Sequence, residues 1–199
     1  MLSENPKVKS LLDYRMQAVF GLMWALELRS CWDRAPPISI FVNEHLIVEG
    51  NLSAITNPMM EAGFLHCRAL LEFLGLQASE KGNAGSVKLV ELKKRRNDDV
   101  GIEHFKNADG PLKILSPDVA LSRYRGPAED AEKSFLSIFK IANKHLLHNT
   151  IAFFDDDDNP HGVNVAVHGI PALMKSYFYT PLGLLPPTPW ITVRSREVP

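Results

Sequence analysis

The sequence lacks most of the patterns that identify a function directly. Among its 199 residues there are two cysteines, Cys31 and Cys67, and no CxxC pair. Both lie in apolar helical contexts, so we expect buried, reduced thiols and a cytoplasmic protein. The motifs GxxxxGK[ST], GxGxxG, HExxH and GxSxG do not occur. No common nucleotide-binding loop, zinc peptidase or serine hydrolase signature is therefore present.

The chain also lacks a strong net charge and a long hydrophobic run. A formal charge of −1 gives no overall field that would attract nucleic acid or acidic lipid. The longest apolar run, from Met16 to Leu28, contains Gln17 and Glu27 and is shorter than the roughly 20 residues that span a bilayer. The first ten residues do not resemble a signal peptide. We expect no membrane partner.

A metal site is not indicated either. Four consecutive aspartates, Asp155 to Asp158, invite comparison with a calcium-binding loop. A loop that begins at Asp155 places Pro160 where the sharp-turn glycine belongs. One that begins at Asp157 places His161 where an oxygen ligand is needed. We therefore expect a solvated turn, with no metal and no cofactor.

What is present is helical periodicity. The central segment, Pro58 to Leu76, has apolar residues almost all round, with Asn57-Pro58 as a start signal and Gly75 as a stop. Helical spacing also covers a first helix from about Pro6 to Trp32 and a later one from Ala128 to Phe154. The sequence predicts an all-α, up-and-down helical bundle with a long central helix.

Three segments complete the expected organisation. Residues 38–49 and 163–168 could each be helix or strand, and helix is preferred for the first because an isolated strand would have no obvious partner. A loop-like stretch, 77–86, leads into Val87–Arg96, which is predicted as a solvated helix end, with a phosphate-contacting patch as the alternative. We expect one domain over residues 1–180 and an irregular, proline-rich tail over 181–199 that packs on the body.

The central helix carries a narrow polar stripe. Glu61, Arg68 and Glu72 fall within about 40° of one another at 100° per residue, and Arg68 and Glu72 can pair at i,i+4. His66 lies outside the stripe among small residues. It is interpreted as a hydrogen-bonded core histidine or as a general base.

The later helix contributes a second polar group, formed by Asn143, Lys144, His145 and His148. Histidines three apart can bind metal. However, His145 borders the core while His148 faces water, and no third ligand is nearby, so a metal site is not expected.

These segments resemble a known superfamily. A helix reading HxRxLxEF from His66, an Asp98-Asp99-Val100 segment after a basic stretch, and a later Asn143-Lys144 with His148 resemble a set of bacterial helical proteins. They are similar, more distantly, to the HEPN superfamily of four-helix bundles. The resemblance implies a homodimer, a link to toxin–antitoxin or defence systems, and metal-independent cleavage of RNA by an arginine and a later histidine with four to six residues between them.

Two functions follow from this comparison. Counting back from His148, the arginine belongs at residues 141–143, and none is arginine. This favours a non-catalytic binding or regulatory protein, with His66, Glu72, Asn143 and His145 as candidate ligand-binding residues and RNA or a partner protein as ligand. The alternative is a ribonuclease in which His148 is the base and Lys144 or Arg68 stabilises the phosphate charge.

Overall fold

The computed structural model describes residues 6–80, 87–96, 98–145 and 160–191. These residues form both helices and strands, so the predicted all-α class is wrong. The helices are α1 (Pro6–Arg29), α2 (Ser53–Leu74), α3 (Pro117–Leu121), α4 (Ala128–Lys140) and α5 (Asn164–Met174). The strands are β1 (Pro37–Val42), β2 (His45–Asn51), β3 (Leu76–Glu80), β4 (Val87–Glu91), β5 (Lys106–Asn107) and β6 (Gly110–Pro111), paired consecutively as three antiparallel hairpins.

Helices α1 and α2 pack against each other and form the centre of the core. A glycine permits their close approach, because a Cβ atom on Gly63 would lie 2.3 Å from the Cβ of Leu22. The buried face of α1 carries Leu12, Met16, Val19 and Leu22, each at most 4% exposed. These residues recur at i, i+3 or i+4, the spacing of one helical face.

Helix α2 starts earlier than predicted. It begins at Ser53, whose backbone N–H donates to Asn51 Oδ1 at 2.8 Å, and Pro58 lies inside the helix rather than at its first position. Pro58 is the sixth residue of α2, where it removes the one hydrogen bond to the Ala54 carbonyl, and the helix continues through it, so Asn57-Pro58 is not a boundary here. The predicted stop is correct, since Gly75 adopts the left-handed conformation with φ 96°.

The first hairpin replaces a predicted helix. The segment 38–49 is the antiparallel pair β1–β2, turning through Asn43 and Glu44 with φ of 47° and 67°. Two positive φ values in a two-residue turn match the right-handed twist of the flanking strands. The helix prediction failed because the strand's partner is the other half of the same segment.

The second hairpin corrects two more expectations. Residues 76–80 pair with Val87–Glu91, which was predicted as a helix end. Of the first strand, 77–80 were predicted as loop and Leu76 as the last residue of the central helix. Leu89 is buried on this hairpin, and its backbone N–H donates to Glu132 on α4 at 3.0 Å. The short helix after Ser116-Pro117 is present as α3, capped by the Ser116 side chain.

Helices α4 and α5 form the other half of the core. The hydroxyl of buried Ser134 accepts a hydrogen bond from the Ala166 N–H at 2.9 Å. Residues 164–168, left open between helix and strand, belong to α5. Helix α4 ends at Lys140 and continues as a π-helical turn, Ile141–His145; the rest of the predicted helix, to Phe154, lies outside the described residues.

The chain returns to α1 after α5. The hydroxyl of buried Tyr179 donates to Asp13 Oδ1 at 2.7 Å. The side chain of Gln17 donates to the Thr188 carbonyl at 2.7 Å and accepts from the Trp190 N–H at 3.0 Å. The Leu185 and Trp190 side chains are nevertheless 85% and 78% exposed.

The two cysteines differ in burial. Cys67 is fully buried on α2, and burial raises the pKa of its thiol. Cys31 is only partly buried, contrary to prediction, and lies just beyond the end of α1. In the part of the chain that the structure describes, no helix is both long and apolar enough to cross a bilayer.

Candidate functional site

The polar stripe of α2 lines an open cleft. Arg68 and Glu72 form the predicted ion pair, with Arg68 Nε 2.9 Å from Glu72 Oε1. Their side chains are 31% and 37% exposed, so both charges also meet water. The third member of the stripe, Glu61, is exposed as well. The polar side of α2 therefore faces water more than expected for a helix that is packed on nearly all sides.

Arg68 also joins α2 to the end of α4. Its Nη1 donates a hydrogen bond to Oδ1 of Asn143, which lies in the π-helical turn. One guanidinium therefore contacts two predicted site residues, Glu72 by Nε and Asn143 by Nη1. The five donors of arginine lie in a rigid plane, so these two contacts fix the direction in which the remaining N–H groups point.

A second arginine, which the sequence analysis missed, lies on the opposite helix. Arg15 of α1 places Nη1 3.2 Å from Nδ1 of His66. Because a guanidinium can only donate, Nδ1 must accept, which leaves the proton of neutral His66 on Nε2. The edge of the Tyr14 ring packs against the imidazole, with centroids 5.2 Å apart. His66 is thus a hydrogen-bonded histidine at the α1–α2 boundary.

This arrangement keeps His66 neutral. Burial lowers the pKa of the imidazole, and the adjacent Arg15 charge lowers it further. Burial also lowers the pKa of Arg15, which the negative charge of Glu72 partly offsets. Arg15 remains charged, since an arginine pKa starts so high. Glu72 is therefore the carboxylate that two guanidinium groups share.

The opposite wall of the cleft is formed by residues that come directly after strand β4 in the sequence. Arg95 is its structural member, with a side chain only 11% exposed. Its Nε and Nη2 bind the carboxylate of Glu103 at 2.6 and 3.2 Å, and its Nη1 and Nη2 donate to the carbonyls of Glu72 and Phe73 at 2.7 and 3.0 Å. Burial alone would raise the pKa of Glu103, but the hydrogen bond from Arg95 lowers it.

Arg95 thus binds the C-terminal end of α2, although it lies in a different, extended segment of the chain. It donates to two carbonyls in the last turn of α2, those of Glu72 and Phe73, where the helix dipole is negative. The prediction that this basic segment is itself a solvated helix end is wrong, because the segment is extended and the helix end that Arg95 binds is that of α2. Lys94 and Arg96, on either side of Arg95, are exposed.

Together these walls enclose a cleft of about 650 Å³. Five cations and three carboxylates line it, a difference of 5 − 3 = +2. Arg95 is neutralised by Glu103, which lies outside the lining, so the cleft retains an excess of one positive charge. The charged lining residues are Arg15, Arg68, Lys94, Arg95, Arg96, Glu72, Asp98 and Asp99.

The remaining predicted site residues are placed only in part. The backbone of Lys144 and His145 continues the π-helical turn after Asn143. His148, the predicted catalytic base, lies outside the described residues. The structure therefore brings Arg68, Glu72 and Asn143 into direct contact, and His66 reaches this group only through Arg15.

Over the described residues, no three histidine, cysteine, aspartate or glutamate side chains are grouped so that they could hold a metal ion. Comparison with family models, curated proteins and solved structures gave no match to this chain. The HEPN resemblance therefore stays a prediction.

Arg15 could have been found from the sequence by its position. It lies three residues after Leu12 and four before Val19, both on the buried face of α1. A charged residue placed inside an apolar stripe needs a partner or a route to water. Which partner it meets depends on how α1 and α2 are aligned, and the sequence does not fix that alignment.

Proposed function

We propose that the protein is a non-catalytic binding protein whose cleft between α1, α2 and residues 92–96 and 98–100 takes a small anionic ligand. The observation that carries this proposal is that two guanidinium groups but only one carboxylate of the described residues lie at the centre of the cleft. Arg15 and Arg68 share a single carboxylate, Glu72. A phosphate or carboxylate from a ligand would supply the second negative charge, and guanidinium groups suit both by their planar, forked donors.

The size and lining of the cleft favour a small ligand. A volume of about 650 Å³ falls within the range of small-molecule sites, roughly 300–1,000 Å³. Among the described lining residues, Phe73 is the only aromatic one, and it is buried at 4% exposure. The described lining thus offers no exposed ring on which a base of single-stranded RNA would stack. Ion pairing with an oxyanion is the interaction that these side chains support.

Ligand-induced thermal stabilisation tests this proposal. Inorganic phosphate and citrate represent the two anion types, and each should raise the melting temperature of the wild-type protein by mass action. Arg15→Gln and Arg68→Gln should lose most of the rise, whereas Arg125→Gln, at an exposed loop position outside the cleft, should keep it. Equal shifts in all three variants would contradict binding in this cleft.

For one further variant we expect the opposite change in affinity, that is, tighter anion binding. Glu72→Gln removes the carboxylate that competes with the ligand for both guanidinium groups. We expect tighter anion binding, on the order of several-fold, because the lost attraction is between partly exposed charges. Weaker binding in this variant would mean that Glu72 is needed to position Arg68.

A specific contact favours the alternative, ribonuclease function. The resemblance places an arginine at residues 141–143, and Arg68 of α2 donates a hydrogen bond to Asn143. A guanidinium could therefore reach the expected position from another helix. With chelator present, RNA cleavage that is lost in both His148→Ala and Arg68→Gln would support the enzyme. Equal activity in wild type and variants, or none, would leave the binding protein as the better account.

A further inference from the structure

The first hairpin, β1–β2, is an arm with apolar side chains on both faces. Across the strands, Ile40 pairs with Val48 and Phe41 pairs with Leu46. Ile40 and Phe41 are consecutive on β1 and so point to opposite faces, while a bulge between the two pairs leaves Ile47 without a partner in the register. Neither face of the arm is therefore polar. Six large apolar side chains of the arm are between 38% and 61% exposed: Ile40, Phe41, Val42, Leu46, Ile47 and Val48.

An isolated hairpin of this kind is marginally stable in water, and an exposed apolar patch of this size marks an interaction surface. The charges of the arm restrict its partner. Residues 37–51 contain Glu44 and Glu49 but no lysine or arginine. An acidic arm would be repelled by nucleic acid and by anionic lipid. The chemistry of the arm therefore fits an apolar protein surface.

The same chain carries such a surface. A groove of about 650 Å³ lies beside the C-terminal half of α1. Its apolar lining residues are Phe20, Met23, Trp24, Leu26, Met60 and Ile191. Arg29 and Ser30 also line it, and the arm begins a few residues later at Pro37. Arm and groove therefore emerge from the same end of α1, which lets one two-fold axis relate two arm–groove contacts.

We propose that two copies of this chain form a two-fold dimer in which the arm of each copy inserts its tip into the groove of the other. A specific interface buries about 800 Å² per partner. In such an exchange each copy contributes an arm and a groove. The six exposed arm side chains then need to supply only about half, on the order of 70 Å² each. Each of these side chains is between 38% and 61% exposed, so an area of this order is available on every one of them.

The experiment compares oligomeric state by sedimentation velocity over a range of protein concentrations. The arm variant is the double substitution Phe41→Ser with Ile47→Ser, and the groove variant is Trp24→Ser. Leu185→Ser is the control, because Leu185 is 85% exposed but lies in neither the arm nor the groove. Far-UV circular dichroism checks that each variant keeps its secondary structure.

We expect a dimer for wild type and Leu185→Ser, and at least a tenfold weaker association for the arm variant and the groove variant. An equal mixture of these two variants should recover part of the dimer, because one intact arm–groove contact remains in the mixed pair. A wild-type monomer at all concentrations would overturn the proposal. So would a groove variant that dimerises normally, which would mean that arms pair with one another, or a monomer that binds neutral phosphatidylcholine vesicles through its arm.

Discussion

At the scale of single residues, three arginines of the cleft show how surroundings determine a role. Arg95 is enclosed and saturated: Glu103 and two carbonyls of α2 occupy its donors. Arg68 is partly exposed, and among the described residues its side chain bonds only to Glu72 and Asn143. Arg15 bonds to the His66 imidazole, and no ion pair joins it to a carboxylate in the described part of the chain. The first therefore stabilises the fold, and the other two can hold a ligand.

The exposure of Arg68 also determines how much folding stability is lost when this residue is replaced. The sequence predicts a buried pair, whose disruption costs about 3–5 kcal/mol. At 31% and 37% exposure the pair resembles a surface pair, which contributes roughly 0–1 kcal/mol. The stability of Arg68→Gln should therefore lie close to wild type, which makes this variant suitable for binding measurements.

The pairing of Arg15 with His66 predicts a pH dependence. The folded-state pKa of His66 is lowered, so the unfolded chain binds the proton more readily. Stability is then full above the ordinary imidazole pKa of 6.5 and falls as the pH drops through that value towards the lowered one. Between about pH 8 and pH 5, the melting temperature of the wild-type protein should fall further than that of His66→Gln.

Exposed His45, in the turn region of the arm, provides the matched control. His45→Gln should keep the wild-type pH dependence. If His66→Gln and His45→Gln have the same profile as wild type, the Arg15–His66 contact does not influence folding near neutral pH.

At the scale of elements, the sequence predicted helices better than strands. Helices α1, α2 and α4 have apolar residues at helical spacing, and each was found near its expected position. The hairpins β1–β2 and β3–β4 were missed, the first because its turn carries a weak signal. Asn43-Glu44 lacks the glycine that usually follows asparagine in such a turn. The strands of the arm are exposed on both faces, so no alternation of apolar and polar residues marks them.

Two helical glycines give opposite predictions for the same substitution. On α2, a Cβ at Gly63 would lie 2.3 Å from the Cβ of Leu22, which no rotamer change can relieve. Gly63→Ala should therefore destabilise the protein by about 1–3 kcal/mol, through overpacking of the α1–α2 contact.

On α5, a Cβ at Gly169 would meet the Phe135 ring at 3.5 Å, an ordinary contact. Gly169→Ala should be neutral or stabilising by up to about 1 kcal/mol, from helix propensity alone. Urea denaturation measures both. A destabilisation of similar size at the two positions would show that the α1–α2 distance is not limited by Gly63.

At the scale of the whole molecule, the candidate site is a product of tertiary structure. Its residues come from α1, α2, the segment after β4 and the turn after α4. Arg68, Glu72 and Asn143 could be named from the sequence because they lie on periodic helices. The partner of Arg15 and the separate roles of Arg95 and Arg96 could not, because a helical pattern gives the inward side of each helix but not the angle at which two helices cross.

The arm is joined to the rest of the molecule at a narrow base, so we expect the core to fold without the arm. The Leu52 N–H donates to the Pro36 carbonyl at 2.9 Å, and the Asn51 side chain donates to the Ala35 carbonyl at 2.9 Å. The two ends of the arm therefore already meet. Replacing residues 38–50 with Asn-Gly should close the chain through a tight turn and leave the core intact.

Because the arm adds no residue to the buried core, the shortened protein should melt within a few degrees of wild type at low protein concentration. At high concentration the two should differ. The wild-type melting temperature should rise with concentration, as mass action requires of a dimer, and that of the shortened protein should not. Loss of the cooperative melting transition in the shortened protein would show instead that the arm supports the fold of its own chain.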